Sequence, residues 1–236
     1  AQVGHAAKAT PLTLPMNVQL ITKQGEQGEL PLSIPAERIG DQVTAAGIPF
    51  AIAKDGKNAL RLAGQTLTLK KDTRRLALLL SADSNRILDF TVGGKTVPCS
   101  VLSRTRRFAS WDLYDLHETA HIQEGQLGYV STHSHNADGT DAIAKELYFY
   151  ILILNVQGGD TVVLPRDEET LVLAATELNT VAVPCATPLY DRVEDRPFDY
   201  TMRLGDKLRY LRMKLPWYMG DKGRYFSCYN RGRERE

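Results

Sequence analysis

The chain has 236 residues, which is long enough to bury a sizeable core without disulfide or metal staples. Its 29 Lys and Arg residues nearly balance 28 Asp and Glu residues. A dedicated nucleic-acid-binding protein is therefore not expected, because phosphate binding draws on a clear surplus of cations. The longest apolar run, residues 147–154, is far shorter than the roughly 20 residues of a membrane-spanning helix, so no membrane partner is expected.

The compartment has few indicators in the sequence. The three cysteines are too scattered for a disulfide framework or a paired-cysteine metal site. The opening Ala1-Gln2 suits a mature secreted chain, and a fragment of a longer chain would begin in the same way. On the start of the chain alone, we expect a periplasmic or secreted protein rather than a cytoplasmic one.

Residues 1–16 lack periodicity and contain two prolines, which indicates a lead-in or linker. Residues 17–188 then carry short alternating or continuous apolar segments separated by Gly, Asp and Asn, which predicts a β-domain. The segments predicted as strands are 17–22, 60–69, 76–80, 87–92, 96–102, 147–156, 161–164 and 171–174. The runs 76–80 and 147–154 predict central strands, and Gly93-Gly94 predicts a two-residue hairpin. The expected fold is an all-β, antiparallel β-sandwich of jelly-roll or galactose-binding-like type.

Residues 189–236 have a different character. Met202, Leu208, Leu211 and Leu215 recur at helical spacing before Pro216, which predicts a short C-terminal helix. Within 197–236 the cations outnumber the acids by five, and aromatic residues are enriched. This basic, aromatic tail is typical of a surface that docks on a protein partner, so a structural or assembly protein is one hypothesis.

The densest polar cluster lies at 132–141. His133 and His135 alternate at the end of a strand, so both side chains project to one side and could bind the same metal ion. Asp138 and Asp141 are the carboxylates proposed beside them. A cupin-like metalloenzyme built around the histidines is therefore an alternative hypothesis, although the carboxylate spacing differs from the usual cupin pattern.

Asn136, Asp138 and Asp141 also offer the oxygen ligands that calcium prefers. The same residues with Gly139 are good turn formers, since Gly adopts positive φ and Asp bonds its own backbone. We therefore expect no cofactor, and calcium is the alternative that these oxygen ligands suggest.

A second candidate ligand-binding group comprises Trp111, Asp112 and Tyr114, an aromatic platform with a carboxylate that suits a sugar. A place for Trp111 and Tyr114 in the core or an interface is the favoured alternative. Gly-x-Ser-x-Gly and phosphate-binding glycine motifs are absent from the sequence, so catalysis by this chain alone is not expected.

Several segments, in the same order, resemble the β-rich C-terminal region of bacterial α-mannosidases of glycoside hydrolase family 38 and their uncharacterised relatives. They are Ser33-Ile34-Pro35-Ala36-Glu37, Gly47-Ile48-Pro49-Phe50, Lys57-Asn58-Ala59-Leu60 with Gly64-Gln65-Thr66-Leu67-Thr68-Leu69, Leu76-Ala77-Leu78-Leu79-Leu80-Ser81-Ala82, Thr132-His133-Ser134-His135-Asn136-Ala137-Asp138-Gly139 with Leu147-Tyr148-Phe149-Tyr150, and Thr161-Val162-Val163-Leu164-Pro165.

The resemblance implies a non-catalytic accessory β-sandwich that binds a glycan or scaffolds a glycoside hydrolase catalytic domain. In that family the zinc ion and the nucleophile belong to other domains, so no catalytic residue is carried over to this chain. Ser134 stands where the family pattern has Arg between the histidines, and residues from Pro197 onward match nothing in the family.

Overall fold

The computed structural model describes residues 8–106, 109–114, 117–122 and 125–181, and of 109–122 only the backbone. The chain divides into two units, the first comprising Ala1–Ser110 and Ala120–Ala182. Of the second unit, Trp111–Thr119 and Val183–Glu236, the described part is the backbone of 111–114 and 117–119. The predicted C-terminal helix and basic tail lie outside the described residues.

The described residues form strands without an intervening helix. In chain order the strands are β1 (Ala9–Leu12), β2 (Ile21–Thr22), β3 (Leu32–Pro35), β4 (Gln42–Ala45), β5 (Ile48–Ala51), β6 (Leu60–Ala63), β7 (Thr66–Thr68), β8 (Arg75–Ser81), β9 (Arg86–Val92), β10 (Lys95–Val101), β11 (Ala109–Tyr114), β12 (His117–Ile122), β13 (Gln126–Val130), β14 (Ser134–Asn136), β15 (Asp141–Ala142), β16 (Tyr148–Asn155), β17 (Thr161–Val163) and β18 (Arg166–Leu178).

A six-stranded sheet forms the centre of the first unit, in the order β1-β18-β8-β16-β13, with β6 also paired to β18. A four-stranded sheet has the order β10-β9-β17-β7, and a second has the order β15-β14-β3-β2. Strands β4 and β5, and strands β11 and β12, pair as two-stranded sheets. The ladders of the six-stranded sheet are antiparallel, whereas β2 and β3 run parallel. The antiparallel β-sandwich expected from the sequence is confirmed.

The central sheet is buried on both faces, which explains the continuous apolar run of β8. Leu76, Leu78 and Leu80 pack into one core cluster with Phe90 of the β10-β9-β17-β7 sheet. The intervening Ala77 and Leu79 pack into a second cluster, on the opposite face, because successive side chains of a strand alternate. Strand β8 lies between β18 and β16, and β16 lies between β8 and β13. The prediction that both apolar runs form interior strands is therefore confirmed.

The Gly93-Gly94 hairpin joins β9 to β10 as predicted. Both glycines have positive φ, 53° and 80°, the combination that a two-residue type I′ turn requires. The register pairs Val92 with Lys95 directly across the turn.

Four segments differ from the sequence expectation. Residues 9–12, assigned above to a lead-in, form β1 and pair with the end of β18. The expected strand 60–69 is two strands, β6 and β7, which belong to different sheets. Strand β18 extends over Arg166–Leu178, well beyond the expected 171–174, because Arg166 and Asp167 pair with β6 and residues 175–178 pair with β8 and β1. Of the expected strand 17–22, only Ile21–Thr22 is a strand.

Asn58 explains why residues 17–22 do not form a longer strand. This fully buried side chain accepts hydrogen bonds through Oδ1 from the backbone nitrogens of Leu20 and Ile21, at 2.8 and 2.9 Å. Its Nδ2 donates to the carbonyls of Ile21 and Lys54, at 2.8 and 3.1 Å. The amide therefore takes the place of a neighbouring strand.

No helix in the described ranges has the length and apolar character needed to cross a bilayer.

Candidate functional site: a histidine–carboxylate cluster

The sheet β15-β14-β3-β2 brings together the polar residues of the 132–141 segment. His135 lies on β14, opposite Asp141 of β15 on one side and Ser33 of β3 on the other. His133 immediately precedes β14, and Glu37 follows the end of β3. The predicted alternation of the two histidines is thus realised at a strand whose neighbours supply carboxylates.

The side chains of Glu37, His133, His135 and Asp141, here called the His–carboxylate cluster, lie around His135 Nε2 and His133 Nε2. The ligand atoms of Glu37, His133 and His135 lie within 4.8 Å of one another. His135 Nε2 is 3.3 Å from Glu37 Oε1 and 3.6 Å from Asp141 Oδ1. His133 Nε2 is 3.9 Å from the same Asp141 oxygen.

The environment of these groups ranges from buried to open. The side chain of His135 is 0% exposed and that of His133 15%, whereas Asp141 and Glu37 are 36% and 41% exposed. The imidazole side of the cluster is therefore buried, and the carboxylate side is exposed to solvent. Within the described part of the chain, Glu37 and Asp141 have no Lys or Arg within ion-pair distance.

A chain of hydrogen bonds holds the ring of His135. Its Nδ1 lies 3.0 Å from Thr22 Oγ1, which lies 2.7 Å from Ser33 Oγ. Ser33 Oγ lies 3.5 Å from the His135 carbonyl, to which it donates. When Thr22 accepts from Nδ1, the lone pair of Nε2 is left on the side of the carboxylates.

His135 Nε2 is buried and has no hydrogen-bond partner among the described residues. A buried nitrogen beside two carboxylate oxygens needs a proton or a metal cation between them. His133 is oriented in the same way, since its Nδ1 lies 3.0 Å from Thr132 Oγ1 and its Nε2 faces Asp141. The arrangement has the donor atoms of a metal site with a hydrogen-bonded second layer.

Asp138, also a predicted ligand, is used by the turn itself. Its Oδ1 accepts hydrogen bonds from the backbone nitrogen and the hydroxyl of Thr140, at 3.0 and 2.6 Å. These bonds hold the pKa of Asp138 below its usual range. Asn136 closes the same turn by donating from Nδ2 to Thr140 Oγ1. This is the turn chemistry that the sequence offers as the alternative to a calcium loop.

Gly139 places this turn against the loop that precedes β3. It has a φ of 84°, and a Cβ there would lie 2.6 Å from the backbone of Gly25. The Gly25 nitrogen donates to the Gly139 carbonyl, and the Gly28 nitrogen donates to the carbonyl of Ala137. Gln24 of this loop donates from Nε2 to Asp141 Oδ1 at 3.2 Å, which orients one cluster carboxylate.

The sequence missed Glu37, Thr22 and Ser33. Glu37 lies far from the histidines along the chain, and only the β3–β14 pairing brings it close. Trp111, Asp112 and Tyr114 lie on β11, where the structure describes the backbone alone. Their predicted ligand-binding role remains a prediction.

Comparison with known proteins identifies the family of this fold. The family model described as the AziU2-like beta-sandwich domain matches residues 7–181, which include all the sheets of the first unit. Among curated proteins nothing matches the chain. Neither match names a family 38 α-mannosidase, so the relationship to that family remains a prediction.

Among solved structures the chain matches the catalytic unit of a thermostable GH87 α-1,3-glucanase from Streptomyces thermodiastaticus strain HF3-3, with 16% identity and a TM-score of 0.32. The match covers 78% of this chain and 28% of the glucanase chain, so this chain spans under a third of that structure's length. The likeness to a glycoside hydrolase is weak. Because the family match extends over residues 7–181, the chain belongs to the AziU2-like β-sandwich domain family.

Proposed function

We propose that the domain is a non-catalytic, metal-binding accessory module in which the His–carboxylate cluster holds one divalent transition-metal ion. The observation that carries the proposal is the buried Nε2 atom of His135, which lies beside Glu37 and Asp141 without a hydrogen-bond partner among the described residues. A metal ion supplies the missing positive charge. It also explains why two carboxylates gather beside a buried imidazole.

The distances from His135 Nε2 match those around a tetrahedral ion. With metal–ligand bonds of about 2.0–2.2 Å, tetrahedral ligand atoms lie about 3.3–3.6 Å apart. The separations of His135 Nε2 from the two carboxylates are 3.3 and 3.6 Å, and that of His133 Nε2 from Asp141 is 3.9 Å. Asp141 is outside the group of ligand atoms within 4.8 Å of one another, so binding requires the partly exposed carboxylates to move closer to the ion.

Two neutral imidazoles and two carboxylates favour zinc among the common ions. Imidazole suits zinc, whereas calcium and magnesium prefer sites made of oxygen. Two carboxylates also neutralise the charge of a divalent ion in a site that is buried on the imidazole side. Zinc is thus the first ion to test.

Four protein ligands favour a structural role for the ion. A structural zinc site is closed by four protein groups, while a catalytic site keeps one position for water or substrate. Here the ligands come from the end of β3, from β14 and from β15, so the ion cross-links segments that are distant in sequence. This supports an accessory role over the cupin-like enzyme considered above.

The wider role of such a module is part of the same proposal. The sequence resemblance supports a β-sandwich that binds a glycan or accompanies a glycoside hydrolase catalytic domain. The basic, aromatic residues of 197–236 supply the segment that would dock on a protein partner. A periplasmic or secreted location fits this role.

Calorimetric titration of the metal-stripped full chain with zinc tests the proposal. We expect one ion per chain for the wild type, and loss of binding in His135→Ala. Glu37→Gln and Asp141→Asn, at exposed positions that the fold tolerates, should each weaken binding by about 10- to 100-fold.

Asp138→Asn is the matched control, because the Asp138 carboxylate belongs to the neighbouring turn and not to the cluster. It should bind zinc like the wild type. A wild type that takes up no zinc, or an Asp138→Asn variant as impaired as Glu37→Gln, would overturn the proposal.

A further inference from the structure

A second polar site lies in a cleft of about 400 Å³ that involves none of the metal-cluster residues. Its floor is apolar, and includes the buried side chains of Leu30, Leu147 and Leu171. Its walls carry two guanidinium groups, Arg61 and Arg104, together with several carboxylates. We call it the Arg–Glu cleft.

A bulge in β18 builds one wall of the Arg–Glu cleft. Asp167 pairs with Leu62 of β6, and the next paired residue is Leu171, opposite Arg61, so residues 168–170 leave the ladder. Such bulges redirect side chains and are common beside functional sites. The result here is that Glu168 and Glu169 line the cleft beside Arg61.

The bulge is held in shape by specific bonds. The Thr170 hydroxyl donates to Asp167 Oδ2, and Arg86 Nη1 donates to Asp167 Oδ1 at 2.7 Å. Arg104 Nη1 donates to the carbonyl of Glu169 at 2.7 Å. These bonds anchor the backbone of the bulge and leave the two glutamate carboxylates outside the described ion pairs.

Among the described residues, no carboxylate lies within ion-pair distance of Arg61 or Arg104. Arg61 Nε is buried and has no hydrogen-bond acceptor there. In the same described part of the chain, the Arg104 side chain donates to the backbone carbonyls of Ser81 and Glu169. Burial lowers the pKa of Arg104, while the charges of Asp83 and Glu169 oppose that shift. The other two acids of the wall are already paired, Glu29 with Lys57 and Asp83 with Arg86.

The geometry points to a neutral, polyhydroxylated ligand, a small saccharide, as the occupant of the Arg–Glu cleft. An anion would meet Glu168 and Glu169, and a cation would meet Arg61 and Arg104, so either charge is opposed. A sugar hydroxyl both donates and accepts, and it can satisfy a carboxylate and a guanidinium together. This assignment does not depend on the metal.

Nuclear magnetic resonance titration of the full chain tests the assignment. The signals to follow are the Nε–H groups of Arg61 and Arg104, with D-glucose, D-mannose and maltose as probes. We expect saturable shifts for at least one sugar, with a Kd on the order of 1 mM. Sodium acetate and glycine serve as anionic and zwitterionic comparisons and should bind more weakly.

Matched variants separate the cleft from the rest of the surface. Glu168→Gln and Arg61→Gln should each weaken sugar binding by about tenfold or more, because a hydrogen bond to a charged group is lost. Asp89→Asn and Arg74→Gln remove an exposed carboxylate and an exposed guanidinium elsewhere and should leave binding unchanged. Glu168 is itself exposed, so its variant remains a valid test if Arg61→Gln fails to fold.

Four results would overturn the assignment, of which three concern the ligands and the Glu168→Gln variant. They are the absence of saturable shifts for all three sugars at about 100 mM, tighter binding of acetate or glycine than of sugar, and sugar binding that Glu168→Gln leaves intact. Loss of sugar binding after zinc is stripped from an otherwise folded protein would also contradict it, since the cleft uses none of the cluster residues. A failed zinc titration alone leaves this assignment standing.

Discussion

Asn58 and His135 are both polar and fully buried, yet they differ in how their polar atoms are satisfied. Asn58 makes two hydrogen bonds as acceptor and two as donor, all with the backbone. His135 satisfies Nδ1 through Thr22 and leaves Nε2 facing two carboxylates. A buried polar residue whose bonds are complete stabilises the fold, whereas one whose bonds are incomplete needs a further partner, which the proposed metal ion would supply to His135.

The largest expected change in the free energy of unfolding comes from replacing Asn58, whose hydrogen bonds are complete. Asn58→Ala leaves the nitrogens of Leu20 and Ile21 buried without an acceptor, so the free energy of unfolding should fall by about 3–5 kcal/mol. Urea denaturation checks this, with and without zinc. The loss should be the same in both conditions, and a loss below about 1 kcal/mol would show that the amide is not structural.

The next largest effect is the stabilisation by zinc, which depends on His135 and not on Asn58. Zinc at about 100 times its Kd should stabilise the wild type by about 2.7 kcal/mol, through mass action on the folded state. His135→Ala should abolish this increment, while Asn58→Ala should retain it on a lower baseline. Thermal unfolding over a zinc series measures both. An increment that survives in His135→Ala would place the metal elsewhere.

The comparison also shows how far the sequence could predict the site. The spacing of His133 and His135 fixes their common side, because strand alternation is a local property. The apolar run of β8 and the Gly93-Gly94 turn were predictable for the same reason. Glu37 and Thr22 were not, since a sheet between distant segments brings them to His135. The sequence places Asn58 in the segment Lys57-Asn58-Ala59-Leu60 but does not predict its bonds to Leu20 and Ile21, because these depend on tertiary packing.

A smaller effect is expected at alkaline pH, away from both residues. Burial raises the pKa of Tyr129 to about 12, above the value of about 10 in an unfolded chain. The unfolded chain therefore loses this proton first, so stability is complete below pH 10 and falls as the pH rises toward 12. Tyr129→Phe should reduce that fall. Urea midpoints at pH 9 and about pH 11 measure it, and an identical fall in the variant would contradict the assignment.

The smallest effect is expected at Asp138, which is exposed. Hydrogen bonds from Thr140 lower the pKa of Asp138, so its contribution to stability is present above the unfolded pKa and is lost as the pH falls through the folded value. Asp138→Asn should remove that acid-side change without altering zinc binding. Unfolding midpoints at acidic and neutral pH test the first statement, and a change in zinc affinity would contradict the second.

Anomalous X-ray diffraction at the zinc absorption edge tests the central claim most directly. Crystals of the full chain grown with zinc should show one peak about 2.0–2.2 Å from Nε2 of His133, Nε2 of His135 and one oxygen each of Glu37 and Asp141. A cluster without a peak, in which a proton on His135 Nε2 bonds to Glu37 or Asp141, would contradict it. The buried histidine would then be an ion-paired structural residue, satisfied in the same sense as Asn58.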